Sequence, residues 1–139
     1  MPFSGKVGDT YWRNDSSDFD HRWVILTNEN NHGEVAVINF TDAKHLPKPP
    51  RLFTKKRYKN QFEKDTSIRI DKANVISKQK IFRAIGNGSY REGKFCRLDI
   101  VNEIINVMFE SDDTKIKVGR ELKANYEKQY KRYYKGSDY

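Results

Sequence analysis

Two short apolar runs joined by a polar turn constrain the fold of this chain more than any other feature. The first run, RWVILT, spans residues 22–27, and the second, EVAVINFT, spans residues 34–41. Runs of this length, rich in β-branched and aromatic residues, predict strands. The connecting NENNHG supplies Asn and Gly, which tolerate the positive φ of a tight turn. The pair therefore predicts an antiparallel hairpin, and the unbroken apolar character of the first run predicts burial on both faces.

Other strand signals are shorter. VGDTYWR, residues 7–13, alternates apolar and polar side chains, and SIRIDKANVI, residues 67–76, contains further short candidates. The prolines of LPKPP, residues 46–50, exclude a helix or a central strand there. The glycine-rich AIGNGSYREGK, residues 84–94, predicts a loop.

The period changes near the end of the chain. In CRLDIVNEIINVMF, residues 96–109, apolar residues recur at spacings of three and four, which predicts an amphipathic helix. A second helix is predicted from about Gly119 to Tyr134. Strands followed by helices indicate a mainly β fold, a small barrel-like sheet with one or two C-terminal helices.

A length of 139 residues fits one domain. We expect the barrel to occupy residues 1–110, with a basic insert at 44–64 and a packing helix near 98–109. Residues 111–139 are expected to form a basic, tyrosine-rich extension that is helical or partly disordered.

Positive charge is concentrated in two segments. The chain carries a formal net charge of +8, to which residues 44–64 contribute +7 and residues 115–139 contribute +5. Clustered positive charge attracts polyanions, which favours nucleic acid as a partner. The single cysteine, Cys96, cannot form an intramolecular disulfide, and no apolar window approaches about 18 residues. We therefore expect a cytoplasmic protein that does not enter a membrane.

Four motifs in a fixed order resemble the PemK/MazF-like toxin endoribonucleases. They are GDTYW, Arg22 before WVILTN, EVAVINFTD, and DTSIRIDKANVISKQKI. Trp23 stands where the family has Pro, so the chain resembles a divergent member. The resemblance implies an SH3-like barrel, usually homodimeric, that cleaves single-stranded RNA through its 2′-hydroxyl without a metal. It also implies a cognate antitoxin that holds the enzyme inactive.

The resemblance places Arg22 and Thr41 at the scissile phosphate. The planar donors of arginine match phosphate oxygens, and a histidine exchanges protons near neutral pH, which makes His21 a third catalytic candidate. Neighbours on a strand point to opposite faces, so His21 joins Arg22 only if it precedes regular strand geometry. The alternatives are a solvated His21, an Arg22 paired with Asp20 or Asp18, and a Thr41 that bonds only within a turn.

The segment RLFTKKRYKNQF, residues 51–62, interleaves cations with aromatic residues, as single-strand binding surfaces do. Its candidate RNA contacts are Arg51, Lys55, Lys56, Arg57, Tyr58 and Lys59. The alternative is a solvated loop whose aromatic residues turn into the core. No spacing predicts a metal site, and no glycine-rich loop predicts a nucleotide cofactor. The alternative function is a non-catalytic small barrel that binds nucleic acid or a protein partner.

Overall fold

A computed structural model describes residues 3–14 and 20–133 of the chain. Within these residues the elements, in chain order, are β1 Thr10–Asn14, β2 Asp20–Ile25, β3 Glu34–Asp42, β4 Thr66–Ile68, β5 Asn74–Ser77, α1 Lys78–Gly86, β6 Tyr90–Glu92, α2 Leu98–Glu110, α3 Ile116–Asn125 and α4 Glu127–Tyr133. Two short 3-10 turns, Ala43–His45 and Ile70–Lys72, follow β3 and β4.

The strands form one antiparallel sheet. Its order is β4-β3-β2-β1-β6, and β5 also pairs with β3. The predicted hairpin is confirmed, because β2 pairs with β3 with Val24 opposite Ile38. Its turn uses the expected chemistry: Gly33 has a φ of 71°, and the Asn30 side chain accepts the N–H of Glu34 at 3.0 Å.

The β2 strand is buried on both faces of the sheet, as its apolar run predicts. On one face Trp23 and Ile25 cluster with Ile81 of α1. On the other face Val24 and Leu26 belong to a larger cluster that includes side chains of α2 and α3. The sheet is therefore a middle layer, with α1 on one side and α2 and α3 on the other.

The helices follow the sequence pattern in part. α2 is confirmed, since the six apolar side chains that recur at helical spacing are buried. They are Ile100, Val101, Ile104, Ile105, Met108 and Phe109. α3 adds a fully buried Leu122 to the same core. The single helix predicted from about Gly119 to Tyr134 is instead two helices, because Tyr126 leaves the helical conformation with φ −129° and ψ 47°. Residues 134–139, on which part of the predicted extension falls, lie outside the described residues.

Two elements lie where the sequence analysis predicts none. α1 begins with a charged turn, and the Ser77 side chain caps it by accepting the N–H of Lys80 at 3.3 Å. β6 lies inside the segment predicted to be a loop and pairs with β1, with Trp12 opposite Arg91. Three residues are too few to show strand alternation, so tertiary pairing rather than local pattern determines β6.

The predicted fold class holds at a coarse level: an antiparallel sheet precedes the C-terminal helices. The pairings recorded among the described strands do not close the sheet into a barrel. The basic insert is anchored to the sheet by Phe53, which bridges to Thr66 and lies in the core. None of the helices in the described ranges combines the length and apolarity needed to cross a membrane.

Candidate nucleic-acid cleft

A cleft of about 1230 Å³ lies where β2 and β3 separate. The pairing of these strands covers residues 23–25 and 37–39, whereas the start of β2 pairs with β1 and the end of β3 pairs with β4. Side chains at the two diverging ends therefore line the cleft. They include the three predicted catalytic residues, His21, Arg22 and Thr41.

Arg22 lies deep in the wall of the cleft and is only 7% exposed. Its Nη1 donates to the carbonyl of Gln61 at 3.0 Å, and its Nη2 donates to the carbonyl of Lys94 at 2.8 Å. The guanidinium carbon lies 5.3 Å from the ring centroid of Phe40 and 5.8 Å from that of Phe62. The side chain thus joins β2 to two loops that are distant in sequence.

The Arg22 guanidinium has no carboxylate partner among the described residues. Asp20 pairs with Arg91 at 2.9 Å instead, and Asp18 lies outside the described ranges. Within those ranges the Nε of Arg22 is buried and makes no hydrogen bond. Burial lowers the pKa of Arg22, and the neighbouring Cys96 opposes this effect, but an arginine stays charged at neutral pH. The cleft wall therefore holds a buried positive charge that no described acidic side chain neutralises.

His21 and Thr41 approach the cleft from the other face of the sheet. His21 does not precede regular strand geometry, because it lies inside β2 and pairs with Arg13 of β1. Alternation along β2 therefore puts His21 on the face of Trp23 and Arg22 on the face of Val24. Alternation along β3 likewise puts Thr41 on the face away from the ring contacts of Arg22. All three line the cleft because it lies beyond the paired segment of the two strands. The predicted residues thus reach one cleft from two sides.

The lining of the cleft is positively charged. Among the residues that the structure describes, the lining holds six fixed cations and three carboxylates, a balance of +3 with histidine neutral. The cations are Arg22, Lys44, Lys55, Lys64, Arg69 and Lys94, and the carboxylates are Asp20, Asp42 and Glu63. The backbone N–H of Lys44, followed by the ammonium groups of Lys64 and Lys44, lowers the pKa of Asp42, which is therefore ionised at neutral pH. The remaining positive charge suits a polyanion.

Sequence reasoning missed Lys94 and Arg69. Lys94 lies in the segment predicted to be a loop, and its carbonyl is held by Arg22 and, at 2.6 Å, by the hydroxyl of Thr10. Arg69 follows β4, and two hydrogen bonds of 2.9 and 2.7 Å to Asp71 hold its guanidinium. Lys94 is positioned by contacts that are distant in sequence and Arg69 by its local pair with Asp71, and a basic residue close to a strand is a weak local signal for either position.

Two of the predicted RNA contacts belong to the packing of the fold. Tyr58 is 5% exposed, and its ring centroid lies 5.4 Å from that of Phe53. Arg51 donates to the Tyr58 hydroxyl at 3.2 Å and lies 3.4 Å from the carboxylate of Glu103. For Tyr58 the inward-turned alternative is the one observed, so this ring is placed to pack the core rather than to stack on a base.

The other four predicted contacts are exposed cations in different positions. Lys55 lines the cleft, and its backbone N–H is fixed by the carboxylate of Asp65 at 2.9 Å. Lys56, Arg57 and Lys59 are exposed but do not belong to the lining. RNA binding by the four cations stays a prediction, and Lys55 has the position that favours it most.

Cys96 lies near Arg22 and takes no reactive form. It is fully buried, and burial raises the pKa of its thiol to about 12 in spite of the opposing charge of Arg22. Among residues 3–14 and 20–133, no three His, Cys, Asp or Glu side chains group as metal ligands. Comparison of the chain with models of protein families, with curated proteins and with solved structures found no match.

Proposed function

We propose that the cleft binds single-stranded RNA and that the protein is a toxin-type endoribonuclease acting through the 2′-hydroxyl of its substrate. The observation that carries the proposal is Arg22, a buried guanidinium without a described carboxylate partner in a positively charged cleft. A buried charge of this kind is costly unless it is compensated. A phosphate is an anion that matches its planar donors.

The reaction needs three contributions from the cleft. The 2′-oxygen loses its proton and bonds to phosphorus, the bond from phosphorus to the 5′-oxygen breaks, and that oxygen gains a proton. The products are a 2′,3′-cyclic phosphate and a free 5′-hydroxyl. In the proposal Arg22 stabilises the charge on phosphorus, the Thr41 hydroxyl donates to a phosphate oxygen, and His21 exchanges protons.

The resemblance to PemK/MazF-like toxins adds three further proposals. The sheet would be a divergent relative of the SH3-like barrel, and the active form would be a cytoplasmic homodimer. A cognate antitoxin would inhibit the enzyme by placing a segment in the same cleft. The positive balance of the lining supports an acidic segment as that inhibitor.

The test is incubation of the purified protein with a long single-stranded RNA in EDTA. We expect cleavage to products ending in a cyclic phosphate, and we expect Arg22→Met to lower the rate by about 10²–10³-fold, as loss of one transition-state donor does. Arg120→Met is the control for loss of one positive charge, because Arg120 is exposed on α3 and does not line the cleft. Intact RNA that the wild-type protein retains on a filter would favour the non-catalytic binder instead.

A further inference from the structure

A second cavity, of about 400 Å³, lies beside the cleft on the face of the sheet that carries Trp23. His21 and Arg69 line both spaces, so the cavity and the cleft are neighbours. The volume falls within the range of pockets that hold small organic ligands. The cavity is therefore adjacent to the cleft and has a volume that suits a small ligand such as one nucleotide.

Asn39 gives this cavity an unmet hydrogen-bonding group. Its side chain lines the cavity and is 3% exposed. Its Nδ2 makes one long contact, 3.5 Å to the carbonyl of Phe40, and its Oδ1 is buried with no partner among the described residues. A buried polar atom without a partner costs free energy that a bound donor restores. An amide also reads the edge of a base through paired donors and acceptors.

Arg13 gives the cavity a stacking platform. Its guanidinium carbon lies 4.6 Å from the ring centroid of Trp23, which is 5% exposed. Both side chains line the cavity. Nucleobases stack on guanidinium planes as well as on aromatic rings, and a guanidinium placed over a tryptophan ring extends such a stack.

The charge of the lining selects an anion. Within the described part of the chain, the lining contains four fixed cations, Arg13, Arg69, Lys72 and Lys115, and one carboxylate, Asp71. Arg69 holds that carboxylate by two hydrogen bonds, which lower the pKa of Asp71 and keep it ionised. A balance of +3 with histidine neutral favours a ligand that carries phosphate as well as a base.

We propose that the Asn39 cavity, defined by Arg13, Trp23, Asn39, Arg69 and Lys72, binds a single nucleotide of the RNA strand that occupies the cleft. The base lies against Arg13 and bonds to the Asn39 amide, and its phosphate faces Arg69 and Lys72. The inference rests on the proposed RNA cleft and extends it, because it assigns base recognition to residues on the opposite face of the sheet from Arg22. A free mononucleotide has the same chemistry and is distinguished in the test.

Each of the two spaces has its own spectroscopic reporter. The sequence has two tryptophans, of which Trp12 lines the cleft and Trp23 lines the cavity. The experiment is ¹⁹F NMR of the whole chain labelled with 5-fluorotryptophan, with resonances assigned from Trp12→Phe. The ligands are a 2′-O-methyl RNA oligomer, which cannot be cleaved, a set of nucleoside monophosphates, and inorganic phosphate. We expect the oligomer to shift both resonances and mononucleotides to shift that of Trp23 at higher concentration.

Variants separate the base pocket from the cleft. Asn39→Leu is expected to weaken the Trp23 response to a mononucleotide by about tenfold, the value of one hydrogen bond to a buried group. The oligomer should still shift the Trp12 resonance at saturating concentration, because its contacts in the cleft remain. Lys72→Met, an exposed substitution that does not disturb the core, is expected to weaken the Trp23 response severalfold. Lys80→Met is its control, because Lys80 is exposed on α1 and lines neither space.

The outcomes are distinguishable. A Trp12 response to the oligomer with a silent Trp23 would overturn the inference and leave the RNA cleft standing. A silent Trp12 would contradict the proposed function itself. Equal affinity of the Trp23 response for phosphate and for mononucleotides would overturn base recognition, and a response to mononucleotides but not to the oligomer would overturn the RNA strand as the source.

Discussion

The burial of Arg22 is the feature on which the proposed chemistry of the cleft depends. A guanidinium that is 7% exposed loses most of its hydration, and the effective penalty for a buried ion is several kcal/mol. Two backbone carbonyls and two aromatic rings offset part of this penalty. A bound phosphate would offset more of this penalty, so the geometry around Arg22 favours an anionic ligand.

Cys96 gives a pH dependence that can be measured. Burial raises the pKa of its thiol to about 12, whereas an unfolded thiol ionises near pH ~8.5. The neutral thiol therefore contributes stability that is fully present below the unfolded pKa and is lost as the pH rises towards the folded one. We expect the free energy of unfolding of the wild type, relative to Cys96→Ala, to fall between pH 8 and pH 10. Urea unfolding of both proteins across this range measures it, and a pH-independent difference would contradict the burial argument.

The functional candidates differ in how visible they are in the sequence. The hairpin pattern identifies three of them, because polar residues at the ends of apolar strands are easy to recognise: His21, Arg22 and Thr41. Asn39 lies inside such a run, where a polar residue looks like ordinary strand variation. Its significance depends on burial and on a missing partner, which only the folded arrangement reveals.

The basic insert shows what composition can and cannot predict. Alternating cations and aromatic residues are compatible with a binding surface and with a loop anchored in the core. Phe53 and Tyr58 are buried, so the insert uses its aromatic residues for packing and presents cations outward. Whether a cation of the insert lines the cleft or only faces solvent then decides if it is a candidate for RNA binding.

Lys55 and Lys56 test this placement as a matched pair, since both are exposed and adjacent but only Lys55 lines the cleft. We expect Lys55→Met to weaken binding of a 2′-O-methyl RNA and to lower the salt slope of log K by about 0.7, the value of one phosphate contact on a single strand. Lys56→Met should change neither quantity. Fluorescence anisotropy at several salt concentrations measures both, and equal effects of the two substitutions would count against the cleft.

The C-terminal helices are part of the core rather than an addition to it. Leu122 of α3 is fully buried, whereas Ile116 on the same helix is 76% exposed. We expect Leu122→Ala to lower the free energy of unfolding by about 2–5 kcal/mol, as loss of a buried leucine does. Ile116→Ala should stay within about 0.5 kcal/mol of the wild type. Urea unfolding measures both, and a similar small effect of the two substitutions would mean that α3 does not pack as described.

Local pattern explains which elements were predictable. The hairpin and α2 have long periodic runs, and the turn between β2 and β3 has distinctive residues. α1 and β6 lack such runs and are fixed by a cap and by pairing with β1. The helical period around Tyr126 continues through a break in the backbone, so periodicity alone could not separate α3 from α4.

Both proposed sites lie at the point where β2 and β3 separate. The sheet is covered on each face by helices, which explains why the central strands are apolar on both sides. Where β2 and β3 separate, their polar ends leave the core and form the cleft, and the Asn39 cavity lies beside it. Sequence predicted the strands that separate, but the separation itself depends on β4 pairing with the end of β3.

The proposed function requires Arg22 to bind a phosphate of single-stranded RNA. The most direct measurement is the dissociation constant for a 2′-O-methyl RNA oligomer, because binding is then observed without cleavage, for the wild type, Arg22→Met, Arg22→Lys and Arg120→Met. Thermal unfolding of each variant verifies that it is folded. We predict a loss of about 10- to 100-fold for Arg22→Met, the value of a hydrogen-bonded charge, an intermediate loss for Arg22→Lys, and little change for Arg120→Met. Equal affinities of folded Arg22→Met and Arg120→Met would show that Arg22 does not bind the phosphate.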